Sequence, residues 1–175
     1  MVRRGVSGAI VGVLRSFVAA LTKPSSRTLP VEHRGNATSR LSDADLSLAE
    51  IRALRPSYEP DPDGDPDPGE IVWAWVPYAE HDGRGKDRPV LIIARIDAST
   101  TAGCYLSTKQ HRGFVSVGSG AWDAEGRESF LATDRVLRLP HARMRREGHV
   151  LDRGRFVDVV GAVMRAHGVQ KPYGR

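Results

Sequence analysis

Basic and hydroxyl side chains border two apolar segments of the sequence, Pro89 to Ile93 and Gly103 to Leu106. The groups concerned are Arg84, Lys86 and Arg88 before the first segment, and Ser107, Thr108, Lys109, His111 and Arg112 after the second. The first group is predicted to lie on the loop between two strands, and the second at a strand end and in the turn after it. If the two strands are neighbours, about 5 Å apart, these groups converge on one rim.

A rim of this composition suits a phosphodiester. A guanidinium group binds phosphate bidentately and stabilises the charge gained in a pentacoordinate transition state, and a hydroxyl of Ser107 or Thr108 can donate a further hydrogen bond. In RNA the neighbouring 2′-OH is the nucleophile, so the protein must supply orientation, charge stabilisation and proton transfer but no metal. Arginine stays protonated, so proton transfer falls to His111 or to the substrate itself. The alternative is that these residues are only a solvated strand end and turn.

The elements that must position these side chains are short strands. Six segments are rich in β-branched and aromatic residues and are separated by Gly, Asp, Ser and Pro; they span residues 70–78, 89–95, 103–109, 113–118, 129–133 and 135–140. This spacing predicts a small antiparallel barrel or sandwich. A helix is predicted to close the domain after Asp152, its N-cap, with an apolar stripe of Phe156, Val159, Val160, Val163 and Met164.

Residues 1–57 are predicted to form a separate N-terminal extension. It contains an amphipathic helix over 5–21, a linker over 23–40 and a short helix over 42–54 that Ser42 caps, with Asp45 in the weaker role of capping-box partner. We expect the first helix to pack on a partner; contact with a membrane surface is a minor alternative, and a signal peptide is another.

An acidic, proline-rich segment over 58–69 separates this extension from the strands. Its alternating aspartates suggest a calcium loop, but the glycine is misplaced and the prolines impose extended backbone, so a stiff, solvated linker is predicted. A further hypothesis is that this segment folds over the basic rim as a tethered competitor. Residues 57–83 hold 8 acidic and 0 basic residues, whereas residues 84–175 hold 17 basic and 9 acidic ones.

The charge and the cysteine content limit the partners and the compartment. The net charge of +5 favours an anionic partner, with nucleic acid preferred over a membrane surface or an acidic protein. With a single cysteine, Cys104, the chain forms no intrachain disulfide, so a reducing cytoplasm is expected. The six histidines show no metal-ligand spacing, and neither a metal nor another cofactor is expected.

Three segments together resemble the PemK/MazF family of toxins from bacterial toxin–antitoxin systems: "GEIVWAWVPY", "RGKDRPVLII" and "CYLSTKQH". The later "GRESFLATDRVLRLP" and the final helix extend the resemblance over about residues 69–168. It implies a mainly β domain with some α-helix over 70–168, an SH3-like antiparallel barrel closed by the C-terminal helix. A tail over 169–175 follows, and the family is usually homodimeric.

The resemblance also implies an activity. It is the metal-independent, sequence-selective cleavage of single-stranded RNA, such as mRNA, which leaves a 2′,3′-cyclic phosphate and a 5′-OH and is neutralised by an antitoxin. The catalytic arginine of the family corresponds to Arg88, and its catalytic threonine to Ser107, with Thr108 beside it. RNA contacts are expected at Lys86, Lys109 and the 79–87 loop. The alternatives are a non-catalytic module that binds nucleic acid or protein and a CcdB-like toxin that poisons DNA gyrase.

Overall fold

The computed structural model describes residues 44–61 and 63–170. A curved antiparallel sheet dominates this part of the chain, with strands β1 Glu70–Pro77, β2 Gly85–Asp97, β3 Thr100–Ser107, β4 Val115–Gly118, β5 Ser129–Leu131, β6 Leu137–Pro140 and β7 Met144–Val150. The strand order is β4-β5-β3-β2-β1-β7, and β6 pairs with β3. The helices are α1 Leu48–Ala53 and α2 Arg153–Ala166. The predicted mainly β fold with a C-terminal helix is confirmed, although the outer strands β4 and β7 of the described sheet do not pair with each other.

Strand β2 lies at the centre of the sheet and is buried on both faces. The apolar run from Val90 to Ala94 is fully buried, because one face packs towards α2 and the other towards β6 and β7. Gly103 on β3 allows the close approach of the two strands, since a Cβ atom there would lie 2.7 Å from the Leu91 carbonyl oxygen. The strand that carries Arg88 is therefore rigidly held.

Helix α2 covers one face of the sheet as the sequence predicts. The Asp152 carboxylate accepts hydrogen bonds from the N–H groups of Gly154 (2.9 Å) and Arg155 (3.1 Å). The predicted apolar stripe is buried: Phe156, Val159, Val160, Val163 and Met164. Val169, which the sequence assigned to a tail, is also buried in this core, and its N–H group donates a hydrogen bond to the Met164 carbonyl at 2.8 Å.

The strand bounds differ from the prediction by several residues, and the differences are largest at β2 and β7. Strand β2 begins at Gly85 rather than at Pro89, because "GKDR" pairs with the end of β1 through Trp75↔Asp87 and Val76↔Lys86. Strand β7 was not predicted, because "MRREGHV" lacks an alternating apolar pattern. It is an edge strand that pairs with β1, and edge strands are commonly charged.

The predicted helix over 42–54 begins later than expected. Its N-cap is Ser47, which forms a capping box with Glu50, so the assignment of Ser42 and Asp45 to this role is wrong. Asp45 instead forms an antiparallel bridge with Leu137, the first residue of β6. The box holds the pKa of Glu50 down to about 2, chiefly through the hydrogen bonds from Ser47.

The described end of the predicted N-terminal extension is part of the domain rather than separate from it. The Leu46 N–H group bonds to the Val136 carbonyl at 2.8 Å, and Leu46 and Ile51 are buried in the core. Burial of these two apolar side chains explains why the segment docks. The predicted helix over 5–21 and the linker over 23–40 lie outside the described residues.

The acidic segment is also anchored, contrary to the prediction of a solvated linker. Asp67 is fully buried and forms an ion pair with Arg95 near the end of β2, and its carboxylate accepts the Asp61 N–H group at 3.2 Å. Tyr58 packs on Phe156 and donates its hydroxyl to the Leu151 carbonyl at 2.8 Å. The earlier aspartates of the strip that are described, at 61, 63 and 65, are exposed.

Within residues 44–61 and 63–170, no helix has the length and apolar character needed to span a membrane.

Candidate functional site

Arg88 and Ser107 come together through the pairing of β2 with β3. The register pairs Val90 with Tyr105 and Leu91 with Cys104, and its continuation by two residues places Arg88 opposite Ser107. Opposite residues of an antiparallel pair lie on the same face of the sheet. The Arg88 guanidinium carbon accordingly lies 5.1 Å from the Tyr105 ring centroid on that face. The strand ends that the sequence predicts to converge are adjacent.

These side chains line a cavity of about 380 Å³, called the strand-end cavity below. Six of the predicted site residues contribute to it: Lys86, Arg88, Ser107, Thr108, Lys109 and His111. The other lining residues are Trp73, Tyr78, Asp87, Pro89, Leu106, Asp123, Arg127 and Ser129. The cavity is therefore built from β1, β2, the end of β3 and the segment that leads into β5.

The cations of the strand-end cavity outnumber its available carboxylates. Asp87 is bound by Arg145 at 2.8 Å, and Asp123 is bound by Arg127 at 2.7 Å. The pKa of Asp123 is lowered by the hydrogen bonds from Arg127. Lys86, Arg88 and Lys109 form no ion pair with any residue in the described ranges. An anion that enters the cavity meets positive charge that the protein does not itself neutralise.

The two candidate hydroxyl groups differ in their surroundings. Ser107 is the last residue of β3, is partly buried, and its Oγ accepts the Lys109 N–H group at 3.0 Å. Its hydroxyl hydrogen remains available for donation to a ligand. Thr108 lies in the turn and is exposed. Ser107 therefore has the more fixed position of the two.

His111 is held at the rim by an aromatic contact. Its ring centroid lies 5.0 Å from that of Phe114, and the Phe114 ring lies 5.9 Å from that of Tyr105. His111 is exposed, so its imidazole is accessible from solvent. Of the six predicted site residues that line the strand-end cavity, His111 is the candidate for proton transfer.

Two predicted residues lie outside the strand-end cavity. Arg84 is bound by Asp82 at 2.6 Å in the β1–β2 loop and lines a neighbouring cavity, and Arg112 lines neither cavity. Lys86 and Arg88 belong to β2 and not to the loop that the sequence suggested. A paired strand positions a side chain more rigidly than a loop does.

Sequence reasoning missed Arg127 and Asp123. They form a pair with two side-chain hydrogen bonds, Nε–Oδ2 at 3.1 Å and Nη2–Oδ1 at 2.7 Å, on the segment before β5. Their spacing of four residues is a weak signal, since it also occurs in ordinary surface pairs. Only the pairing of β5 with β3 brings them to the cavity.

No group of three or more His, Cys, Asp or Glu side chains that could hold a metal ion occurs in the described part of the chain. Cys104 is buried, and burial raises the pKa of its thiol far above the ordinary value. Burial also raises the pKa of Tyr105, and the charge of Asp134 adds to this effect.

A family model described as "PemK-like, MazF-like toxin of type II toxin-antitoxin system" matches residues 67–167. The chain belongs to this family. The match confirms the resemblance carried by the strand segments and by the final helix, and it places both Arg88 and Ser107 of this PemK/MazF-family protein inside the matched region.

Two solved structures are similar to this PemK/MazF-family protein. One is an endoribonuclease in complex with its cognate antitoxin from a mycobacterial species, with 15% identity over 62% of this chain and 99% of that chain and a TM-score of 0.46. The other is MazE–MazF from Deinococcus radiodurans, with 20% identity over 61% of this chain and 95% of that chain and a TM-score of 0.41. No curated protein matches the chain.

Proposed function

We propose that this PemK/MazF-family protein is a metal-independent, sequence-selective endoribonuclease toxin that cleaves single-stranded RNA in the cytoplasm and is neutralised by an antitoxin. The observation that carries the proposal is that an unneutralised guanidinium, Arg88, and a fixed hydroxyl, Ser107, line the same cavity. Membership of a toxin family supports the class of activity, and the chemistry of the cavity supports the substrate.

The proposed reaction is an internal displacement at phosphorus. The 2′-oxygen of the substrate attacks the adjacent phosphorus, the bond from phosphorus to the 5′-oxygen breaks, and the products are a 2′,3′-cyclic phosphate and a 5′-OH. His111, or a phosphate oxygen of the substrate, accepts the 2′-proton, and the departing 5′-oxygen takes up a proton from solvent water. Because the nucleophile belongs to the RNA, the protein acts by positioning and by charge stabilisation.

Arg88 is proposed to stabilise the negative charge that builds on the non-bridging oxygens. A guanidinium group matches two phosphate oxygens at once, and its effect is large where no carboxylate competes for it. The Ser107 hydroxyl donates to one of the same oxygens, and Thr108 lies beside it as the alternative donor. Lys86 and Lys109 hold the flanking phosphates.

Arg84 and Arg112 are proposed as outer contacts to the RNA backbone. Both are exposed and lie outside the strand-end cavity, so their contribution is expected to be electrostatic and to weaken as salt is added. They are not expected to act on the reacting phosphate.

A homodimer is proposed as the working assembly. Trp75 on β1 and Val150 on β7 are large apolar side chains with 52% and 54% of their surface exposed. Single exposed apolar side chains also occur on monomers, so the main support for this proposal is the membership of a family that is usually homodimeric. Light scattering on the purified chain tests this proposal, and a mass equal to one chain at micromolar concentration would reject it.

The test of the proposed activity is incubation of the purified full chain with a mixed RNA in EDTA, followed by mapping of both ends at each cut. We expect cuts at a short recurring sequence, with a 2′,3′-cyclic phosphate on one side and a 5′-OH on the other. Saturable RNA binding without product, in EDTA and in magnesium alike, would show instead a non-catalytic binding module.

A further inference from the structure

A second cavity of about 470 Å³ adjoins the proposed active site. It is called the neighbouring cavity, and it shares Arg88 and Tyr78 with the strand-end cavity. Its other walls come from the end of β1, the loop after it, Tyr105 of β3, and Asp134 and Arg135 in front of β6. A nucleic-acid strand with one phosphate at Arg88 therefore has a second recess within reach of the next chemical group.

Apart from the shared Arg88, the charge available in the neighbouring cavity is opposite to that in the strand-end cavity. Its two further arginines are already occupied: Arg84 is bound by Asp82, and Arg135 is bound by Asp45 at 2.8 Å and by the Pro77 carbonyl at 3.0 Å. Glu80 and Asp134 are exposed and form no hydrogen bond or ion pair with any residue that the structure describes.

The two cavities thus sort their ligands by charge. Free cations in the strand-end cavity attract phosphate, whereas free carboxylates in the neighbouring cavity repel phosphate and accept hydrogen bonds from a neutral donor. Among the parts of a nucleotide, the base and the ribose hydroxyl groups offer such donors without negative charge, and of these only the base also has a flat face that can stack on an aromatic ring. The neighbouring cavity is therefore suited to a base and not to a phosphate.

The aromatic walls of the neighbouring cavity support the same ligand. Tyr78 and Tyr105 both line it, and the Arg88 guanidinium lies over the Tyr105 ring. Tyrosine rings and planar guanidinium groups are the surfaces on which unpaired bases stack. The loop that contributes Glu80 is tied down, since His81 Nε2 lies 3.3 Å from the Asp45 carboxylate and Tyr78 N–H bonds to the Arg84 carbonyl.

We propose that the neighbouring cavity binds the base next to the scissile phosphate and selects guanine through the carboxylate of Asp134. Guanine presents two adjacent donors, N1–H and the N2 amine, which match the two oxygens of one carboxylate, whereas adenine, cytosine and uracil cannot offer this pair. The inference rests on the proposed function, because it takes the phosphate at Arg88 to be the one that is cut. It adds the base preference and the residue that sets it.

The test measures binding apart from cleavage. Fluorescently labelled RNA tetranucleotides with one 2′-deoxy residue before the central phosphate lack the nucleophile at that phosphate, so they bind without being cut there. The base on either side of that phosphate is varied among guanine, hypoxanthine, adenine, cytosine and uracil, and the dissociation constant for the full-length protein is measured by anisotropy. Cleavage of the matching all-ribose series is followed in parallel.

A tetranucleotide with guanine at one of the two positions should bind about tenfold more tightly than the same tetranucleotide with hypoxanthine, which lacks the N2 amine. This ratio of dissociation constants is the one expected for a bidentate contact. Asp134→Asn should reduce this ratio to about twofold or less, because the carboxamide has one acceptor oxygen. The matched control is Asp158→Asn on the exposed side of α2, which should leave the ratio unchanged.

The outcomes separate the two proposals. A guanine preference that depends on Asp134 but comes without cleavage of the all-ribose series would uphold the selection of guanine by Asp134 and reject the proposed reaction. Cleavage without a guanine preference, or with a preference that survives Asp134→Asn, would reject the inference and leave the reaction standing. If the 2′-deoxy series binds without a preference for any base and the all-ribose series is not cut, both proposals are wrong.

Discussion

The guanidinium group of Arg88 lies over the ring of Tyr105, with 5.1 Å between its central carbon and the ring centroid. The ring fixes the direction of the cation without neutralising it, and Arg88 forms no ion pair with a described residue. A carboxylate in place of the ring would hold Arg88 as firmly but would compete with the substrate. The aromatic contact therefore leaves the positive charge available for a phosphate.

Tyr105 should act as a positioning residue for Arg88, through its ring and not its hydroxyl. Tyr105→Phe keeps the ring and should retain RNA cleavage within about threefold, whereas Tyr105→Leu should lose about tenfold in kcat/KM, in line with a partly buried cation–π contact. Thermal unfolding of both variants shows whether the fold persists. Equal losses in the two variants would mean that the ring does not position Arg88.

Ser107, rather than Thr108, should carry the catalytic hydroxyl. Ser107→Ala should lower cleavage by about one to two orders of magnitude, since a hydrogen bond to a charged group contributes about 1.5–3 kcal/mol. Ser107→Thr keeps the hydroxyl and should restore most of the activity. Thr108→Ala should change the rate by less than about threefold, and the reverse ranking in single-turnover rates would transfer the role to Thr108.

The acidic strip should not compete with RNA for the strand-end cavity. It is anchored by Asp67 to Arg95, which lies seven residues beyond Arg88 on β2, or about 23 Å along an extended strand. At about 0.15 M salt, charges at this distance are screened, because the Debye length is about 8 Å. Replacement of the exposed aspartates 61, 63 and 65 by asparagine should therefore leave RNA affinity unchanged within about twofold. A tenfold increase in RNA affinity, measured in a filter-binding assay, would restore the tethered-competitor hypothesis.

Burial makes the stability contribution of Asp67 depend on pH. Desolvation raises the pKa of Asp67, although the charge of Arg95 opposes the shift. The folded state therefore binds this proton more tightly than the unfolded chain, so the contribution of Asp67 is fully present below its unfolded pKa of about 3.9 and is lost as the pH rises through the higher folded value.

Asp67→Asn does not titrate, so the stability of the wild type relative to this variant should increase as the pH falls through this range towards 4. Urea unfolding of both proteins at pH 7 and pH 4 measures the difference. The matched control is Asp97→Asn, since the pKa of the exposed Asp97 is lowered by hydrogen bonds from Ser99 and its contribution should change in the opposite direction. A difference in the free energy of unfolding between wild type and Asp67→Asn that is the same at both pH values would contradict this prediction.

The elements that could be predicted from the sequence are those with a strong local pattern of apolar residues. The apolar run of β2 and the stripe of α2 after Asp152 each determine an element without help from the rest of the chain. Strand β7 could not be predicted in this way, because its pairing with β1 supplies the stability that its own composition lacks. The anchoring of the acidic strip could not be predicted for a similar reason, since only the fold brings Arg95 to Asp67.

The part of the candidate site that lies at the ends of two consecutive strands was predictable from the sequence. Arg88 and Ser107 stand at the ends of apolar runs, so their meeting followed from two neighbouring strands. The Asp123–Arg127 pair and the free carboxylate of Asp134 reach the site from distant segments, and the sequence contains no local signal for their placement. Register and long-range pairing, which set these positions, depend on the whole sheet.

The most direct test of the central claim is the single-turnover rate of RNA cleavage in EDTA by the wild type and by Arg88→Ala, with Arg165→Ala on the exposed side of α2 as the matched control. The account predicts a loss of about a thousandfold or more for Arg88→Ala, comparable to the removal of an arginine that stabilises a phosphoryl transition state. The control should retain the wild-type rate, and the circular dichroism spectra should coincide. Cleavage by a folded Arg88→Ala protein at the wild-type rate would contradict the account.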